Sequence, residues 1–471
     1  MRETIPILGP SVKNQSVQVN NQLTLNLYPR VEPSGSKTQI ALYHTPGLES
    51  IDESQAGDGR SNGVVWDDKL YFVIGDSLVS IDSSDTVTAV GTLNTSSGRV
   101  SIAAGRNYIC LVDGTNGYTW NGSAFAVIGD SDFPDDATHV EYIDGFFIVN
   151  DSGTDDFYKS ALEDPTDWAS LDFETASAAP DDILAIGRFD RDLFVVGERS
   201  TQRYYNSGNA DFPFTPYPRS MELGILAPHS IVRTNYGLFW LANIPDGDAV
   251  IVQVTGEGYQ VVSDVDTSSE ISRLTTKTDA IGSVYTQEGH TFYVLTFPSD
   301  QLTKVYDVTQ GIWHDRSSDP LGKWRVSGLG YLSGRVIGTD FTNGKIYNVS
   351  RTVYTDDGTR IERKRRSQIV HSNRREFACY RLELEFEFGV GTGDEQTPGA
   401  NDPQCEMRYS WNGHEYSNTR PQPIGAIGEY DTRAVWYEIG DGVNLSFEFE
   451  ISDPVPVTVI GGYADIEMRD F

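Results

Sequence analysis

The sequence predicts an all-β protein in which a β-propeller of six or seven blades is followed by a small antiparallel β-sandwich domain. Two observations predict this fold class. Short runs of β-branched and aromatic residues alternate with turn signals, and the pattern recurs every roughly 40 to 50 residues between positions 61 and 350. Between positions 355 and 471 longer runs with strict apolar and polar alternation take its place.

The repeat is clearest between Asn62 and Asp82, where Asp67-Asp68 and Gly75-Asp76 separate three runs of apolar residues. Such pairs are preferred in tight turns between antiparallel strands. The first turns of successive repeats fall at 67, 106, 144, 191, 236, 289 and 334, at intervals of 39, 38, 47, 45, 53 and 45 residues. Several strands per interval and no helical periodicity are typical of radially repeated sheets.

A closed ring solves a packing problem for such units. One small twisted sheet cannot bury both of its faces, whereas blades stacked face to face bury them and leave only short strand edges. We expect residues 61–350 to form this ring. An N-terminal strand often completes the last blade, and Gln39–Tyr43 is the candidate strand.

Residues 1–60 are polar and rich in turn signals, which predicts an extended arm that either closes the propeller or binds a partner. Five prolines interrupt this arm, namely Pro6, Pro10, Pro29, Pro33 and Pro46. Met1–Pro10 has no apolar core behind a basic start, so no secretory signal is expected. No apolar run approaches the roughly 20 residues that span a bilayer.

The last part of the chain, residues 355–471, carries the sandwich pattern. Arg381–Gly389 and Leu445–Ile451 place apolar residues at every second position, and Val455–Gly461 adds a further strand. One buried and one charged face are expected of antiparallel strands in a sandwich. Gly391–Pro403 is expected to be a mobile loop.

The chain is strongly acidic, with 36 Lys and Arg against 68 Asp and Glu and a net charge of −32. Such a surface repels phosphates, which argues against a protein whose task is to grip nucleic acid. An acidic surface kept for solubility and a wall past which DNA slides are both consistent with this balance.

One basic run stands against this background. Between Arg360 and Arg381 eight Lys and Arg face two Glu, a local net charge of +6. Docking to an acidic neighbouring subunit, contact with DNA and a solvated strand face all remain open. Docking is the favoured interpretation, and the candidate residues are Arg363, Lys364, Arg365, Arg366, Arg374 and Arg375.

Patterns of catalytic, cofactor-binding or metal-binding residues are missing from the sequence. The three cysteines, Cys110, Cys379 and Cys405, form neither a disulfide framework nor a metal-ligand spacing. The seven histidines show no H-E-x-x-H pairing, and neither a nucleophile elbow nor a phosphate-binding loop occurs. No cofactor, metal or catalytic residue is therefore assigned.

Two alternative functions for a propeller of this kind are a carbohydrate-active enzyme of the sialidase type and a free-standing adaptor. Gly117–Trp120 matches the end of the turn motif of sialidase-like propellers, but Thr115 stands where the motif has aspartate. No arginine triad can be recognised. With 68 acidic residues, paired carboxylates arise by chance and support no glycosidase.

Several short segments, here called islands, occur in the same order in a family of phage proteins and resemble it. They are Asn26–Pro29, Thr45–Leu48, Ser97–Arg106, Asp144–Asn150, Asp164–Trp168, Asp211–Phe214, Gly289–Pro298 and Ile451–Val457. The chain is thereby similar, from about residue 20 to 460, to the packaged-DNA stabilisation proteins, the tail hub or nozzle subunits of short-tailed bacteriophages. The basic run and the Gly391–Pro403 loop lie outside the resembling islands.

The resemblance implies a non-enzymatic virion component with a propeller and an added β domain. Family members form a ring, expected to be a homohexamer, beneath the portal and the head-to-tail adaptor. They close the filled head and continue the channel for DNA, which passes without sequence-specific binding. A tail needle or plug and tailspikes or fibres attach below, and assembly takes place in the host cytoplasm. No catalytic residues are carried over.

Overall fold

The computed structural model of the chain describes residues 2–14, 16–134, 136–176, 181–209, 212–244, 249–256, 258–393 and 397–469. The chain divides into two compact units. The sandwich unit comprises Met1–Glu49, Leu302–Trp324 and Val349–Phe471, and the propeller unit comprises Ser50–Gln301 and Arg325–Asn348. Helix in the described ranges is limited to the 3-10 turn Pro228–Ser230 and to α1, Val265–Ser272. None of the described helices is long and apolar enough to cross a membrane.

The N-terminal segment contributes the first six strands. They are β1 (Arg2–Thr4), β2 (Val12–Lys13), β3 (Asn21–Leu25), β4 (Leu27–Val31), β5 (Ile40–His44) and β6 (Gly47–Asp52).

Four sheets of four strands then follow one another along the chain. The first has β7 (Val64–Trp66), β8 (Lys69–Ile74), β9 (Ser77–Ile81) and β10 (Val87–Thr92), and the second β11 (Ser101–Ala104), β12 (Ile109–Val112), β13 (Gly117–Trp120) and β14 (Phe125–Val127). The third has β15 (Val140–Ile143), β16 (Phe146–Asn150), β17 (Asp156–Ala161) and β18 (Asp164–Thr175). The fourth has β19 (Ile183–Phe189), β20 (Asp192–Gly197), β21 (Thr201–Asn206) and β22 (Phe214–Pro216). Asp211, the first residue of one resembling island, lies outside the described residues.

Three further sheets complete the set among the described residues. The fifth has β23 (Gly224–Ile225), β24 (Val232–Thr234), β25 (Gly237–Asn243), β26 (Val250–Thr255) and β27 (Gly258–Val261). The sixth contributes β28 (Ile281–Gln287) and β29 (His290–Phe297) to the propeller unit, and the chain continues through β30 (Leu302–Asp307) and β31 (Ile312–Asp315) of the sandwich unit. The seventh has β32 (Val326–Leu332), β33 (Arg335–Asp340) and β34 (Ile346–Ser350), with β6 next to β34 in the strand order.

The predicted turn residues join these strands, and their backbone explains why. Asp67 and Asp68, between β7 and β8, have φ of +47° and +57°, and Glu288 and Gly289, between β28 and β29, have φ of +51° and +81°. Positive φ at both central residues gives a two-residue turn whose twist matches that of the flanking strands. Asp, Asn and Gly tolerate this conformation best, so the turn positions could be located from the sequence.

The innermost strands form a closed ring in the propeller unit. Successive contacts run through β7, β11, β15, β19, β24, β28 and β32, and β32 in turn contacts β7. Apolar side chains fill the spaces between neighbouring blades. For example, Leu70 and Phe72 of the first blade pack with Leu332 and Ile337 of the last. The prediction of a propeller is confirmed, with seven blades in the described residues.

The last ten strands belong to the sandwich unit. They are β35 (Thr355–Asp356), β36 (Thr359–Arg360), β37 (Arg363–Arg366), β38 (Val370–His371), β39 (Phe377–Phe386), β40 (Gln404–Ser410), β41 (Arg420–Pro423), β42 (Ala434–Gly442), β43 (Asn444–Ile451) and β44 (Thr458–Met468). The predicted loop Gly391–Pro403 lies between β39 and β40 and has no strand in its described part. Its residues 394–396 lie outside the described residues.

Two sheets face each other in this unit, and the N-terminal segment belongs to both. One has the order β4, β5, β44, β39, β42, with β1 on β44, and the other includes the order β31, β3, β37, β43, β40, β41. Ile5, Ile7 and Leu42 of the N-terminal segment share one core with Trp436 and Phe447. The predicted antiparallel sandwich is confirmed, and residues of the arm complete it. Gln39–Tyr43, the predicted blade-closing strand, falls largely in β5, which pairs with β4 and β44 rather than with β34.

Candidate subunit-docking segment

The basic run predicted to dock a neighbouring subunit begins with an internal strand of the sandwich unit. Strand β37 pairs antiparallel with β3 on one side and with β43 on the other. Because side chains alternate between the two faces of a strand, Arg363 and Arg365 point into the protein and Lys364 and Arg366 point to the opposite face. The run is therefore divided by its own strand periodicity.

Arg365 is fully buried and its guanidinium holds the N-terminal segment. Nη1 donates to the carbonyl oxygen of Pro10 at 2.9 Å and to Oγ1 of Thr24 at 2.7 Å. Nε donates to the carbonyl oxygen of Ile7, and Nη2 donates to Oε1 of Gln22. Burial lowers the pKa of Arg365 to about 9. Since the five N–H donors of arginine form a rigid fork, one side chain satisfies several carbonyl groups of an irregular segment.

Arg363 is also fully buried, and it fastens the other end of the strand. Nη1 donates to the carbonyl oxygen of Asp453 and Nη2 to that of Tyr354, both at 3.0 Å. Burial lowers the pKa of Arg363 to about 10, although Asp356 and Asp453 oppose this shift. The charge is held by backbone dipoles and by carboxylates at longer range.

Lys364 and Arg366 pair with carboxylates of the same unit. Nζ of Lys364 lies 2.8 Å from Glu362 and 3.2 Å from Glu450. Burial alone would lower the pKa of Lys364, but the bond to Glu362 and the charge of Glu450 raise it. Arg366 lies 2.7 Å from Glu448. These two side chains are neutralised within the chain.

Glu448 is a shared acceptor between two strands. Besides Arg366, it accepts a hydrogen bond at 2.7 Å from Nε of Arg408 on β40. Burial would raise the pKa of Glu448, but the two arginines lower it. Both guanidinium groups also lie over the ring of Tyr416, at 5.6 Å for Arg366 and 5.1 Å for Arg408. This arrangement is typical of a structural ion network.

Arg374 and Arg375 differ from the four strand residues. They lie in the turn between β38 and β39, and both side chains are exposed. Asn373 and Arg374 have φ of +48° and +65°, so the chain reverses at this point. Neither guanidinium makes a hydrogen bond or an ion pair with any residue in the described ranges. These two arginines are available to an external partner.

The six predicted docking residues thus fall into three pairs. Arg363 and Arg365 are buried in the unit, and the partly exposed Lys364 and Arg366 pair with carboxylates of the same unit. The described contacts of these four residues all lie within the chain, which indicates a structural role for them. The docking hypothesis stays a prediction, and Arg374 and Arg375 are the residues on which it now depends.

One of the resembling islands also has a clear structural role. Asn26, the first residue of Asn26–Pro29, has φ of +53°. Its Nδ2 donates to the carbonyl oxygens of Ser317 at 3.0 Å and Glu362 at 2.9 Å, and its Oδ1 accepts from the Ser317 N–H at 3.0 Å. Asparagine suits both the positive φ and the three hydrogen bonds. In the described ranges, no group of three or more His, Cys, Asp or Glu side chains is placed to bind a metal ion.

Two solved structures are similar to the chain over about two thirds of its length. The propeller domain of Myceliophteria thermophila Cps50 (Swd1) is 10% identical, with a TM-score of 0.45 over 64% of this chain and 99% of that chain. BamB from Moraxella catarrhalis is 9% identical, with a TM-score of 0.39 over 65% of this chain and 97% of that chain. These TM-scores are too low for the likenesses to bear on function. No curated protein matches the sequence.

Two family models match the chain in sequence order and cover nearly all of it. Residues 3–354 match the model described as bacteriophage P22 Gp10, beta-propeller. Residues 362–467 match the model described as bacteriophage P22 Gp10, beta-sandwich. The chain therefore belongs to the bacteriophage P22 Gp10 family, and it is a phage structural protein of the group that stabilises packaged DNA.

Proposed function

We propose that the chain is the tail hub, or nozzle, subunit of a short-tailed phage. In this role a homohexameric ring, assembled in the host cytoplasm, docks below the portal and the head-to-tail adaptor. The ring closes the DNA-filled head and continues the channel through which DNA is ejected. A tail needle or plug and tailspikes or fibres attach to its distal side. The protein acts by assembly and not by catalysis.

The observation that carries this proposal is the match to both Gp10 domains in order. A propeller alone hosts many functions, so its fold would not favour one of them. The combination of a propeller at 3–354 with a sandwich at 362–467 is far more specific. The family's part in stabilising packaged DNA supports a position at the exit of the head.

The charge of the chain suits a channel wall. A net charge of −32 repels the DNA backbone, so that DNA in transit is not held by the protein. The cavity at the centre of the propeller has a volume of about 320 Å³, which is the size of a small-molecule pocket. In this proposal DNA therefore passes through the ring of subunits and not through an individual propeller.

A ring of head-to-tail subunits needs two different complementary patches on each subunit. Arg374 and Arg375 supply an exposed positive tip on a strongly negative chain. We assign this tip to one side of the contact, with an acidic surface of the next subunit or of the adaptor on the other. Charge complementarity of this kind fixes the register and steers association.

The test mixes the purified full-length chain with DNA-filled, tailless heads of its own phage. Sedimentation then separates the heads, and bound chain and retained DNA are both quantified. We expect binding at a fixed ring stoichiometry, about six chains per head, and less DNA leakage. A monomeric chain that leaves the heads leaking would overturn the proposal. Turnover of host polysaccharide by the same preparation would instead support a carbohydrate-active propeller.

A further inference from the structure

The propeller unit encloses a cavity of about 320 Å³ on the axis of its ring. The walls come from the innermost strands and the residues next to them, and five of the seven blades supply at least two lining residues. Val64, Ile102, Val140, Ile186, Val284 and Leu329 give most of the apolar lining. A cavity of this size, with polar groups converging between apolar side chains, is large enough for a small ligand.

The charged groups of the cavity have the opposite sign to the rest of the chain. Arg99, Arg188 and Arg233 line it, and Glu141 is the one carboxylate among the described lining residues. Three positive charges and one negative charge leave a local net of +2, whereas the whole chain carries −32. Like charges gathered in one cavity repel each other, so the arrangement costs free energy unless an anion balances it.

The three arginines keep donors free for such an anion. Nη1 of Arg188 donates to the carbonyl oxygen of Tyr142 at 2.7 Å, but its Nε is buried without a partner. Nη1 of Arg99 makes only long bonds of 3.3 Å, to the carbonyl oxygens of Gly59 and Ser327. The Arg233 guanidinium is exposed and makes no hydrogen bond or ion pair with the residues that the structure describes.

The pKa values of the cavity residues show which charges act on one another. Burial and the positive charge of Arg233 lower the pKa of Arg188. Burial, and then the positive charge of Arg60, lower the pKa of Arg99 to about 10. Burial raises the pKa of Glu141, against the effect of Arg233 and Arg188. An anion beside Arg188 and Arg233 would relieve the repulsion between these two guanidinium groups.

Two histidines border the same cavity without adding charge. The rings of His139 and His229 are stacked, with centroids 4.9 Å apart and planes 16° from parallel. Burial lowers the pKa of His139 to about 4 and that of His229 well below its usual value. Both rings are neutral near pH 7, so the positive charge of the cavity comes from the arginines alone.

We propose that this cavity is a binding site for a phosphate group, free or carried by a small phosphomonoester, with Arg99, Arg188 and Arg233 as its ligands. Guanidinium groups match the oxygen atoms of phosphate in pairs, and a net of +2 matches its double charge. The cavity volume of about 320 Å³ leaves space for a small organic group attached to the phosphate. This inference stands apart from the tail assembly proposed above, because it concerns the isolated chain.

The experiment is titration calorimetry of the full-length chain in chloride buffer. Inorganic phosphate, glycerol phosphate and acetate are titrated separately. We expect one phosphate per chain, binding of glycerol phosphate at the same site, and acetate at least about tenfold weaker because it carries one charge. Saturating phosphate should also raise the unfolding temperature, since it binds only the folded state.

The variant that tests the site is Arg233→Gln, because this side chain makes no hydrogen bond or ion pair with the described residues. Its phosphate affinity should fall by about tenfold or more. Arg219→Gln, a substitution of an exposed arginine in the same unit, is the matched control and should bind as the unaltered chain does. Arg99→Gln is a second variant for which weaker binding is expected.

Four results would overturn the proposal. The first is no phosphate binding at millimolar concentration, and the second is equal phosphate affinity in Arg233→Gln and Arg219→Gln. The third is acetate binding as tightly as phosphate. The fourth is that a single-stranded oligonucleotide displaces bound phosphate whereas glycerol phosphate does not. An unchanged urea midpoint of Arg233→Gln in phosphate-free buffer excludes misfolding as the cause of lost binding.

Discussion

The guanidinium of Arg365 donates a hydrogen bond of 2.7 Å to Oγ1 of Thr24, a residue 341 positions earlier in the chain. The same side chain also binds the carbonyl oxygens of Ile7 and Pro10. The N-terminal segment is thereby held in the sandwich unit at Ile7, Pro10 and Thr24. Arg365 belongs to the basic run in the sequence, but in the structure it is a buried residue that binds the N-terminal segment to the sandwich unit.

Replacing Arg365 should destabilise the sandwich unit. In Arg365→Met the apolar stem is retained, but the acceptors at Ile7, Pro10, Gln22 and Thr24 lose their donor inside the protein. We expect the free energy of unfolding to fall by about 3 kcal/mol or more. Urea denaturation measures the loss, and hydrogen exchange in β37 and β43 reports on this unit.

The matched control for that substitution is Arg375→Met. Its side chain is exposed and has no partner in the described residues, so a change within about 0.5 kcal/mol is expected. Equal effects of the two substitutions would contradict the fastening role of Arg365.

The N-terminal segment should also contribute through its apolar side chains. Ile7 is buried in the core of the sandwich unit together with residues of β39 and β43. Ile7→Ala should lower the free energy of unfolding by about 3 kcal/mol, because it removes buried methyl groups and leaves a cavity. Glu3→Ala in exposed β1 should change it by less than about 0.5 kcal/mol. If Ile7→Ala were as mild as Glu3→Ala in urea, the arm would be dispensable for the sandwich.

His44 should make the sandwich unit sensitive to mild acid. Its Nε2 lies 3.1 Å from the carbonyl oxygen of Arg351, and its Nδ1 accepts from the Val457 N–H at 3.2 Å, so the neutral ring is satisfied. Burial, and then the charges of Arg363 and Arg351, lower the pKa of His44 to about 4. The unfolded chain, with a pKa near its usual value, takes up the proton first as the pH falls.

The sign of the effect follows from that order of protonation. Stability from neutral His44 is fully present above about pH 6.5 and is lost as the pH falls toward 4. Between pH 7.5 and 5.5 this single group should account for about 1.3 kcal/mol of lost stability. Urea denaturation gives the free energy of unfolding of the unaltered chain and of His44→Gln at each pH. The loss between pH 7.5 and 5.5 should be larger in the unaltered chain by that amount. Parallel pH curves for the two proteins would show that His44 does not titrate as inferred.

The turns and strands of the propeller could be predicted because their causes are local. Asp67-Asp68 and Glu288-Gly289 suit positive φ wherever they occur, and their spacing reveals the blades. The exposure of the basic run could not be predicted in this way. Arg363 and Arg365 are buried because β3, from the other end of the chain, pairs with β37. In a strand with charged residues on both faces, the sequence pattern does not indicate which face is buried against the rest of the protein.

The cavity arginines illustrate a second limit. Arg99, Arg188 and Arg233 lie near three different inner strands and share no motif or spacing. Only closure of the ring brings them to one cavity. The alternation of β-branched residues around Val140 and Val232 predicts the strands, but the sequence does not fix which alternate residues face the axis once the blades are tilted.

The exposed arginine tip should be required for assembly. We expect Arg374→Glu combined with Arg375→Glu to weaken binding to tailless heads by about tenfold or more, because it replaces complementary charges with repulsive ones. Neither side chain has an internal partner in the described ranges, so the urea midpoint should stay unchanged. Arg199→Glu combined with Arg219→Glu, two exposed arginines of the propeller unit, is the control with equal charge change. Head binding that falls equally in both double variants would indicate a general charge effect and not a docking tip.

Arg60 allows a sharper test of how buried arginines act in this fold. It is 2% exposed, and its guanidinium donates to the carbonyl oxygens of Gly75, Thr95, Ser97 and Gly98 at 2.6 to 2.9 Å. These carbonyl groups belong to turns and loops of the first two blades. The Arg60 side chain therefore supplies hydrogen bonds to backbone groups that lie outside the β-sheet ladders.

If the fork geometry of Arg60 matters more than its charge, lysine should not replace it. Arg60→Lys keeps the charge but has three donors on one nitrogen, which cannot reach carbonyls spread around a planar group. We therefore expect Arg60→Lys and Arg60→Met each to lower the free energy of unfolding of the propeller unit by about 3 kcal/mol. Urea unfolding, with hydrogen exchange in β8 and β12 as the local probe, measures both variants. Full rescue by lysine would mean that a buried positive charge, and not a network of directed donors, holds the first two blades together.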